Sequence, residues 1–324
     1  MSAVLYATNR PLSEGLRLRT IRTGSRSPGD HPWLGAFRRA LTREDLATLT
    51  VRGYARDVGD FLRWYGAGAL ERLSVVDLVH YRDHLIRERD AKPATVNRKL
   101  EALRRFTRWA HAGGKLAAPL GAELKLARAV RGRCPKGLTA AEVQTLLRAA
   151  GQSGRGLARR NYALIQVMLQ AGLRVGEVAT LTRADLELHD RSGQARVHGK
   201  GAKERVVPLN TTARRALHAY FKDRAPLSGK TPVFLSESGA ALSLRSMQAL
   251  VANLARRAKI SHAVSTHTCR HTFALNFLKQ HPGKLVELAV LLGHDSVETT
   301  AVYTQPSAEE MADDLERSPL NVER

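Results

Sequence analysis

Residues 194–209 read QARVHGKGAKERVVPL. Gln194–His198 and Glu204–Leu209 read as two strands joined by the glycine-bearing turn Gly199-Lys200-Gly201, the pattern of a hairpin. A third strand is expected at Ala184–Leu188, just upstream. Nearly everything else in the chain has helical spacing, so this short stretch decides between an all-helical protein and a mainly α protein with a small antiparallel β-sheet. The latter is expected.

Downstream of the hairpin, helices are expected over 211–223, 244–258, 268–279, 284–291 and 297–302, with a final one at 308–317 opened by Ser307 and Glu310. Upstream, Thr139 and Glu142 form a capping box, and an apolar helix from Ala163 to Ala171 stops at Gly172. Further back, apolar residues recur at helical spacing from Arg43 to Tyr65 (Leu46, Leu49, Tyr54, Val58, Leu62). A second helix opens with the capping box Ser74–Asp77 and runs to about Arg89. A third follows Lys92-Pro93, carries Val96, Leu100, Leu103 and Phe106 on one side, and ends at Gly113-Gly114. Residues 115–136 read as a short helix followed by an exposed linker, which puts a domain boundary near 133. Residues 1–40 mix Gly, Pro, Ser and Arg without a period and read as an irregular arm.

The 324 residues are enough for two domains, each with its own core. Lys and Arg outnumber Asp and Glu by 52 to 30, a formal net charge of +22. The excess is +11 over residues 1–130 (24 basic, 13 acidic) and +11 over 131–324 (28 basic, 17 acidic), so both halves suit a polyanion. Cys134 and Cys269 are too few for a disulfide framework. No apolar run approaches the ~20 residues of a membrane span, and MSAVLYATNRPLSEG lacks the pattern of a signal peptide. A reducing cytoplasm or nucleoid is the expected setting, with no membrane partner.

Three further segments carry chemistry. AGLRVGE contains Arg174. In STHTCRHTFA, His267 and Arg270 are three apart and share a helix face, from which both could reach one phosphate; a guanidinium fork matches two phosphate oxygens. The competing reading of this segment is a zinc site made by His262, His267, Cys269 and His271, though no matching Cys or His pair lies elsewhere at zinc-site spacing. In LLGHDSVETTAVYT, His294 precedes Tyr303 by nine residues. Nine residues of unbroken helix would set them on opposite sides, so a shared site requires a break, which Gly293 and a cap by Asp295 with Glu298 would supply.

The four blocks AGLRVGE, VHGKGAKERVVPL, HTCRH and LLGHDSVETTAVYT, in that order over residues 171–304, resemble the tyrosine recombinase (phage integrase, Xer-type) family. Residues about 40–115 are similar, through their pattern of helices, to its helical core-binding (SAM-like) domain. The resemblance implies an arm at 1–40, a DNA-binding domain at 41–133, a catalytic domain at 134–304 that clamps DNA together with it, and a C-terminal tail at 305–324. It also implies roles. Arg174 and Arg270 would bind the non-bridging oxygens of the scissile phosphate, with Glu177 supporting the first. Lys200 would protonate the leaving 5′ oxygen; Lys203 lies on the same turn, but the GKG position favours Lys200. His267 would be the general-acid/base or proton-relay histidine, His294 a phosphate stabiliser, and Tyr303 the nucleophile forming a 3′-phosphotyrosyl link. Thr266, Cys269 and Leu275 depart from the pattern without removing any of these groups.

Chemistry asks for such a set, since in-line attack on a phosphodiester gathers charge on equatorial oxygens that fixed cations or a metal must meet. A covalent tyrosine ester conserves the bond energy, so no cofactor, metal or nucleotide is expected, in keeping with the lack of a GxxxxGK[ST] loop. Candidate phosphate contacts outside this set are Arg52, Arg56, Arg98, Lys99, Arg104 and Arg105 on the N-terminal helices, and Lys203 and Arg205 beside the hairpin turn. The expected partner is duplex DNA bearing a specific recombination site, cut by a homotetramer, or by a heterotetramer with a second recombinase, through Holliday-junction strand exchange. A mobile-element integrase or Xer-like resolvase fits the two-domain layout. The acidic tail, six acidic against two basic residues after Thr304, with Met311 and Leu315 giving a modest apolar face, would dock on a neighbouring subunit. Two other readings share the residue set: monomeric strand nicking and relaxation of the type IB topoisomerase class, and a catalytically silent DNA-binding relative.

Overall fold

A computed structural model describes residues 31–304 except 45, 67–68, 122–123, 125, 128–135, 155, 200–202 and 223–227, together with 312, 315 and 316. Contacts divide the chain into two compact units, Met1–Arg131 and Gly132–Arg324.

Among the described residues, unit 1 contains the α-helices α1 (Pro32–Arg43), α2 (Thr48–Tyr65), α3 (Val75–Arg87) and α4 (Pro93–Ala112). Helix α1 replaces part of the expected irregular arm; the remainder of that arm, residues 1–30, lies outside the described residues. Its cause is local. Pro32 presets the first turn, the ring of His31 accepts from the Trp33 amide at 3.2 Å, and Phe37 and Leu41, one turn apart, are fully buried. Phe37 meets Phe106 of α4 edge-on at 5.3 Å. The single helix expected from Arg43 to Tyr65 is therefore two: α1 ends at Arg43, α2 starts at Thr48, and Leu49 faces solvent. Ser74 caps α3 through a reciprocal capping box with Asp77, as its spacing predicts.

After α4, residues 113–121 form turns and bends in place of the expected short helix. The main chain here is held by side chains of α4. Arg104 donates to the carbonyls of Gly121 (2.9 Å) and Leu124, while Asn97 donates to Ala127 O (2.9 Å) and accepts from Ala127 N (2.7 Å). With its polar groups satisfied from outside, the segment buries Leu116 and Leu124 without helical hydrogen bonds.

Unit 2 is built on α5 (Ala140–Gly151) and α6 (Ala158–Ala171). Helix α6 is buried over most of its surface, with Leu164, Ile165, Val167 and Met168 among its buried residues, and it packs against α5 and the later helices Thr211–Phe221 and Thr266–Gln280. Gly172 ends it in the left-handed region (φ 61°), where a side chain would also collide with the ring of Phe273. Short α7 (Val175–Thr180) leads into the sheet of β1 (Leu186–Leu188), β2 (Gly193–His198) and β3 (Glu204–Pro208). The strands form an antiparallel meander, with Ala195 opposite Leu186 and Val207, and Val197 opposite Arg205. Ala184 and Asp185, expected as the start of the first strand, instead belong to a 3-10 turn, Arg183–Asp185, capped by Thr182 and Asp185. Ala195, Val197 and Val207 turn inward. Helices α8 (Thr211–Phe221), α9 (Leu244–Arg257), α10 (Thr266–Gln280), α11 (Leu285–Leu292) and α12 (Val297–Thr300) follow, and a 3-10 turn spans Ala301–Thr304. The helix expected at 308–317 falls largely outside the described residues. Among the described residues, no helix is long and apolar enough to cross a membrane.

Candidate active site

The site gathers where α6 and α11 end. Both helices stop at a left-handed glycine, Gly172 (φ 61°) and Gly293 (φ 63°), and the last-turn carbonyls left without helical partners become acceptors for arginines. Arg270, on the inner face of α10, donates to Gly172 O at 2.6 Å and to Leu292 O at 2.7 Å. Arg174 donates to Gly293 O at 2.8 Å, and Arg205 donates through Nε to Leu291 O at 3.0 Å. Two helix C-termini thus hold three guanidiniums.

One carboxylate, that of Glu177, ties two of them together. It accepts both terminal nitrogens of Arg205 at 2.8 and 2.9 Å, and the Arg174 side chain at 3.0 Å. Its Oε2 also accepts the Arg174 amide at 2.7 Å, closing the start of α7. Burial alone would raise the carboxyl pKa, but the hydrogen bonds from Arg205 and Arg174 outweigh it, and Glu177 stays below the ordinary glutamate value.

Cations still outnumber anions here. Burial, and then Arg174, bring Arg270 down to about 10. Burial, Arg270, Arg174 and Arg205 bring His294 down to about 4. His294 Nε2 lies 2.9 Å from Arg270 Nη2; because a guanidinium only donates, Nε2 accepts, and Nδ1–H donates to Thr300 Oγ1 at 2.7 Å. That neutral tautomer is fixed by two neighbours.

The helix breaks over 293–296, from the expected Gly293 to the start of α12, but the cap of α12 is Ser296, whose Oγ accepts from Glu298 N at 3.1 Å. Asp295 is drawn away by Lys203 Nζ at 2.6 Å, which raises the pKa of that lysine. The turn then delivers Tyr303, only 8% exposed, against Ala274, Leu288 and Leu292. Its Oη lies 2.7 Å from His271 Nδ1.

The structure therefore brings Arg174, Arg270, His294 and Glu177 together and seats Tyr303 on the adjoining turn. Lys200 lies outside the described residues. His267 is exposed on α10, its ring centroid 6.4 Å from that of His271. Arg205, expected as a DNA contact, is instead a strut beneath Arg174, with a side chain 14% exposed. Three functional neighbours escaped the sequence: Arg205 in this role, Thr300 and His271. Only His271 left a signal there, as a candidate zinc ligand. Cys269, the other member of that candidate set in the same turn, is buried with its thiol pushed up to about 12, and among the described residues no three His, Cys, Asp or Glu groups gather as a metal site.

The candidate DNA contacts of unit 1 divide in two. Arg52 and Arg56 are exposed, although Arg56 also lies 3.6 Å from the Asp57 carboxylate. Arg98 and Lys99 pair with Asp57 and Asp60, Arg105 pairs with Glu44 and lies over the Tyr54 ring, and Arg104 holds the turn after α4. The last four owe their positions to packing. Helical spacing alone could not distinguish them from solvated cations.

Residues 136–310 match the model of the phage integrase family, and residues 33–112 match that of the phage integrase N-terminal SAM-like domain. The chain is 31% identical to tyrosine recombinase XerC of Xanthomonas campestris pv. campestris (strain B100), over 90% of each protein. It is 34% identical to tyrosine recombinase XerD of Ralstonia nicotianae, over 84% of this chain and 89% of that one. Among solved structures, XerH recombinase in a pre-cleavage complex with its difH substrate matches with TM-score 0.68 at 18% identity, over 88% of this chain and 94% of that one. A lambda integrase dimer bound to a COC′ core site matches with TM-score 0.67 at 18% identity, over 90% of this chain and 79% of that one. At such identities the structural matches speak for the fold.

Proposed function

The chain belongs to the phage integrase family of tyrosine recombinases, and from that premise we propose that it is a site-specific DNA recombinase that cuts and rejoins duplex DNA through a 3′-phosphotyrosyl intermediate. The observation that carries this reading is the surplus of fixed cations: three guanidiniums and His294 surround one carboxylate beside Tyr303. A phosphodiester entering the cluster supplies the missing negative charge. Arg174 and Arg270 then meet its non-bridging oxygens, and Glu177 with Arg205 keeps Arg174 oriented. His294 stabilises the phosphate as charge builds on it.

Tyr303 Oη attacks phosphorus in line, the bond to the 5′ oxygen breaks, and Lys200 on the hairpin turn protonates that oxygen. His267, at the exposed start of α10, relays protons. Rejoining is the reverse reaction with a 5′-hydroxyl from another strand. Since the ester keeps the bond energy and the arginines supply the charge, the cycle runs without metal or nucleotide. Residues 41–133 bind DNA, residues 134–304 carry the chemistry, and the tail from 305 docks on a neighbour in a tetramer, with itself or with a second recombinase, that exchanges strands through a Holliday junction. The reaction takes place on cytoplasmic, nucleoid DNA.

The test is a denaturing-gel search for a protease-sensitive protein–DNA adduct, in EDTA, on fragments of the source genome, with Tyr303→Phe as the control. An adduct lost in the variant is expected, and its DNA identifies the site. Tight binding without an adduct from any fragment would favour a silent DNA-binding relative.

A further inference from the structure

His267 is the histidine that the sequence nominates for proton transfer, yet His271 is the one that touches the nucleophile. The two are one turn apart on α10 and face differently: His267 is exposed, while His271 is half-buried with Nδ1 2.7 Å from Tyr303 Oη. Their rings stand 6.4 Å apart, and no described contact joins His267 to Tyr303.

Resting on the recombinase reading, we propose that His271 is the catalytic base of this enzyme, taking the proton of Tyr303 as the phenol attacks. The contact is held from both sides. Tyr303 sits in an apolar cluster with Ala274, Leu288 and Leu292, the first of which is three residues beyond His271 on α10. Its 3-10 turn packs against α10 as well. Burial, His267 and Arg270 all lower the His271 pKa, so at neutral pH the imidazole is uncharged and its Nδ1 lone pair is available to the phenol. A base that is neutral at working pH, within hydrogen-bond reach of the proton it removes, is what general-base catalysis requires.

The step balances. The O–H bond of Tyr303 breaks as its oxygen forms the bond to phosphorus, the proton passes to Nδ1, and the bond from phosphorus to the 5′ oxygen breaks with that oxygen protonated from the hairpin. In rejoining, the incoming 5′-hydroxyl displaces Tyr303, which recovers its proton from His271. An imidazolium formed beside Arg270 and His267 would be repelled by both, which favours the proton's return and makes the base a transient one.

Two measurements on the full-length protein decide this. In histidine-¹⁵N NMR at pH 7, with the His271 signals identified by their loss in His271→Asn, Nδ1 should be unprotonated and Nε2 protonated. A proton on Nδ1 would make His271 a donor to Tyr303 and overturn the proposal. On the site DNA recovered by adduct trapping, His271→Asn keeps an oxygen able to accept from Tyr303 but no basic nitrogen. Adduct formation should slow by ~10²–10⁴-fold with DNA affinity unchanged, and the decline of the wild-type rate as pH falls through the lowered His271 pKa should disappear. A variant that cleaves at the wild-type rate, or keeps the wild-type pH profile, would overturn the base role and leave the recombinase reading intact. Failure of the wild type itself to form an adduct would instead overturn that reading, and the base role with it.

Discussion

In unit 1, Arg56, Arg63, Arg98 and Lys99 gather on the carboxylates of Asp57 and Asp60 and Arg105 meets Glu44, so that each of these cations reaches a carboxylate. In unit 2, Arg174 and Arg205 share Glu177, whereas Arg270 donates to His294 and to main-chain carbonyls instead of a carboxylate. Both regions come from chain halves of equal net charge, +11 each by residue count. Composition cannot separate them. The difference lies in what is left over: paired charges fix helices to one another, whereas an unbalanced cluster carries a standing demand for an anion. Like charges about 4 Å apart repel by roughly 4 kcal/mol at an effective dielectric of 20. Burial first, and repulsion among the cations second, bring Arg270 down to about 10 and His294 down to about 4.

The contrast is sharpest at Glu177. Glu177→Gln removes the carboxylate that binds Arg174 and Arg205 and leaves Arg205 with buried, unneutralised charge, so thermal or urea unfolding should show a loss of about 3–5 kcal/mol. A neutral effect would mean that the carbonyls alone hold the arginines, and the contrast with unit 1 would dissolve. Duplex DNA should also recover part of that loss at low salt, since it supplies an anion to the cations that remain.

A second test reads the surplus directly. The folded state keeps His294 neutral down to about 4, while an unfolded histidine protonates near 6.5. Between those values the unfolded chain binds more protons, so stability falls as pH drops. The contribution of His294 is complete above 6.5 and lost as pH passes through about 4. NMR titration should find His294 shifted down in the free protein and shifted back up when duplex DNA occupies the site. A free-protein value near 6.5 would break the claim that burial and the neighbouring arginines together keep His294 neutral.

The smallest effect distinguishes the two kinds of cation within unit 1. Arg52→Ala, at an exposed position, should reduce the slope of log affinity against log salt by about 0.9 without altering stability. Arg104→Ala should leave that slope unchanged and lower stability by about 1–3 kcal/mol, because the carbonyls of Gly121 and Leu124 lose their donor. The reverse result would mean that Arg104, for all its internal bonds, faces the DNA.

Much of the molecule is legible in local sequence. Capping boxes at Ser74–Asp77 and Thr139–Glu142 form as written, the hairpin pairs across its glycine-bearing turn, and Gly172 and Gly293 end their helices. Each of these depends on residues a few positions apart. Errors arose where a local pattern was weak and a distant partner decided: α1 stands because Phe37 reaches Phe106, and the segment after α4 avoids a helix because Arg104 and Asn97 satisfy its main chain. The cap of α12 passed from Asp295 to Ser296 because Lys203, far away in sequence, claims the carboxylate.

By itself the sequence determined the mainly helical class, the small sheet, and the ordered blocks that carry Arg174, Arg270, His294 and Tyr303. Tertiary structure decided which charges are neutralised, which carbonyls accept, and which histidine meets the tyrosine. Helical period and turn chemistry act over a few residues and are written in the order of the chain. Electrostatic pairing depends on distance and burial between residues such as Glu177 and Arg205, or His271 and Tyr303, whose closeness exists only once the helices have packed.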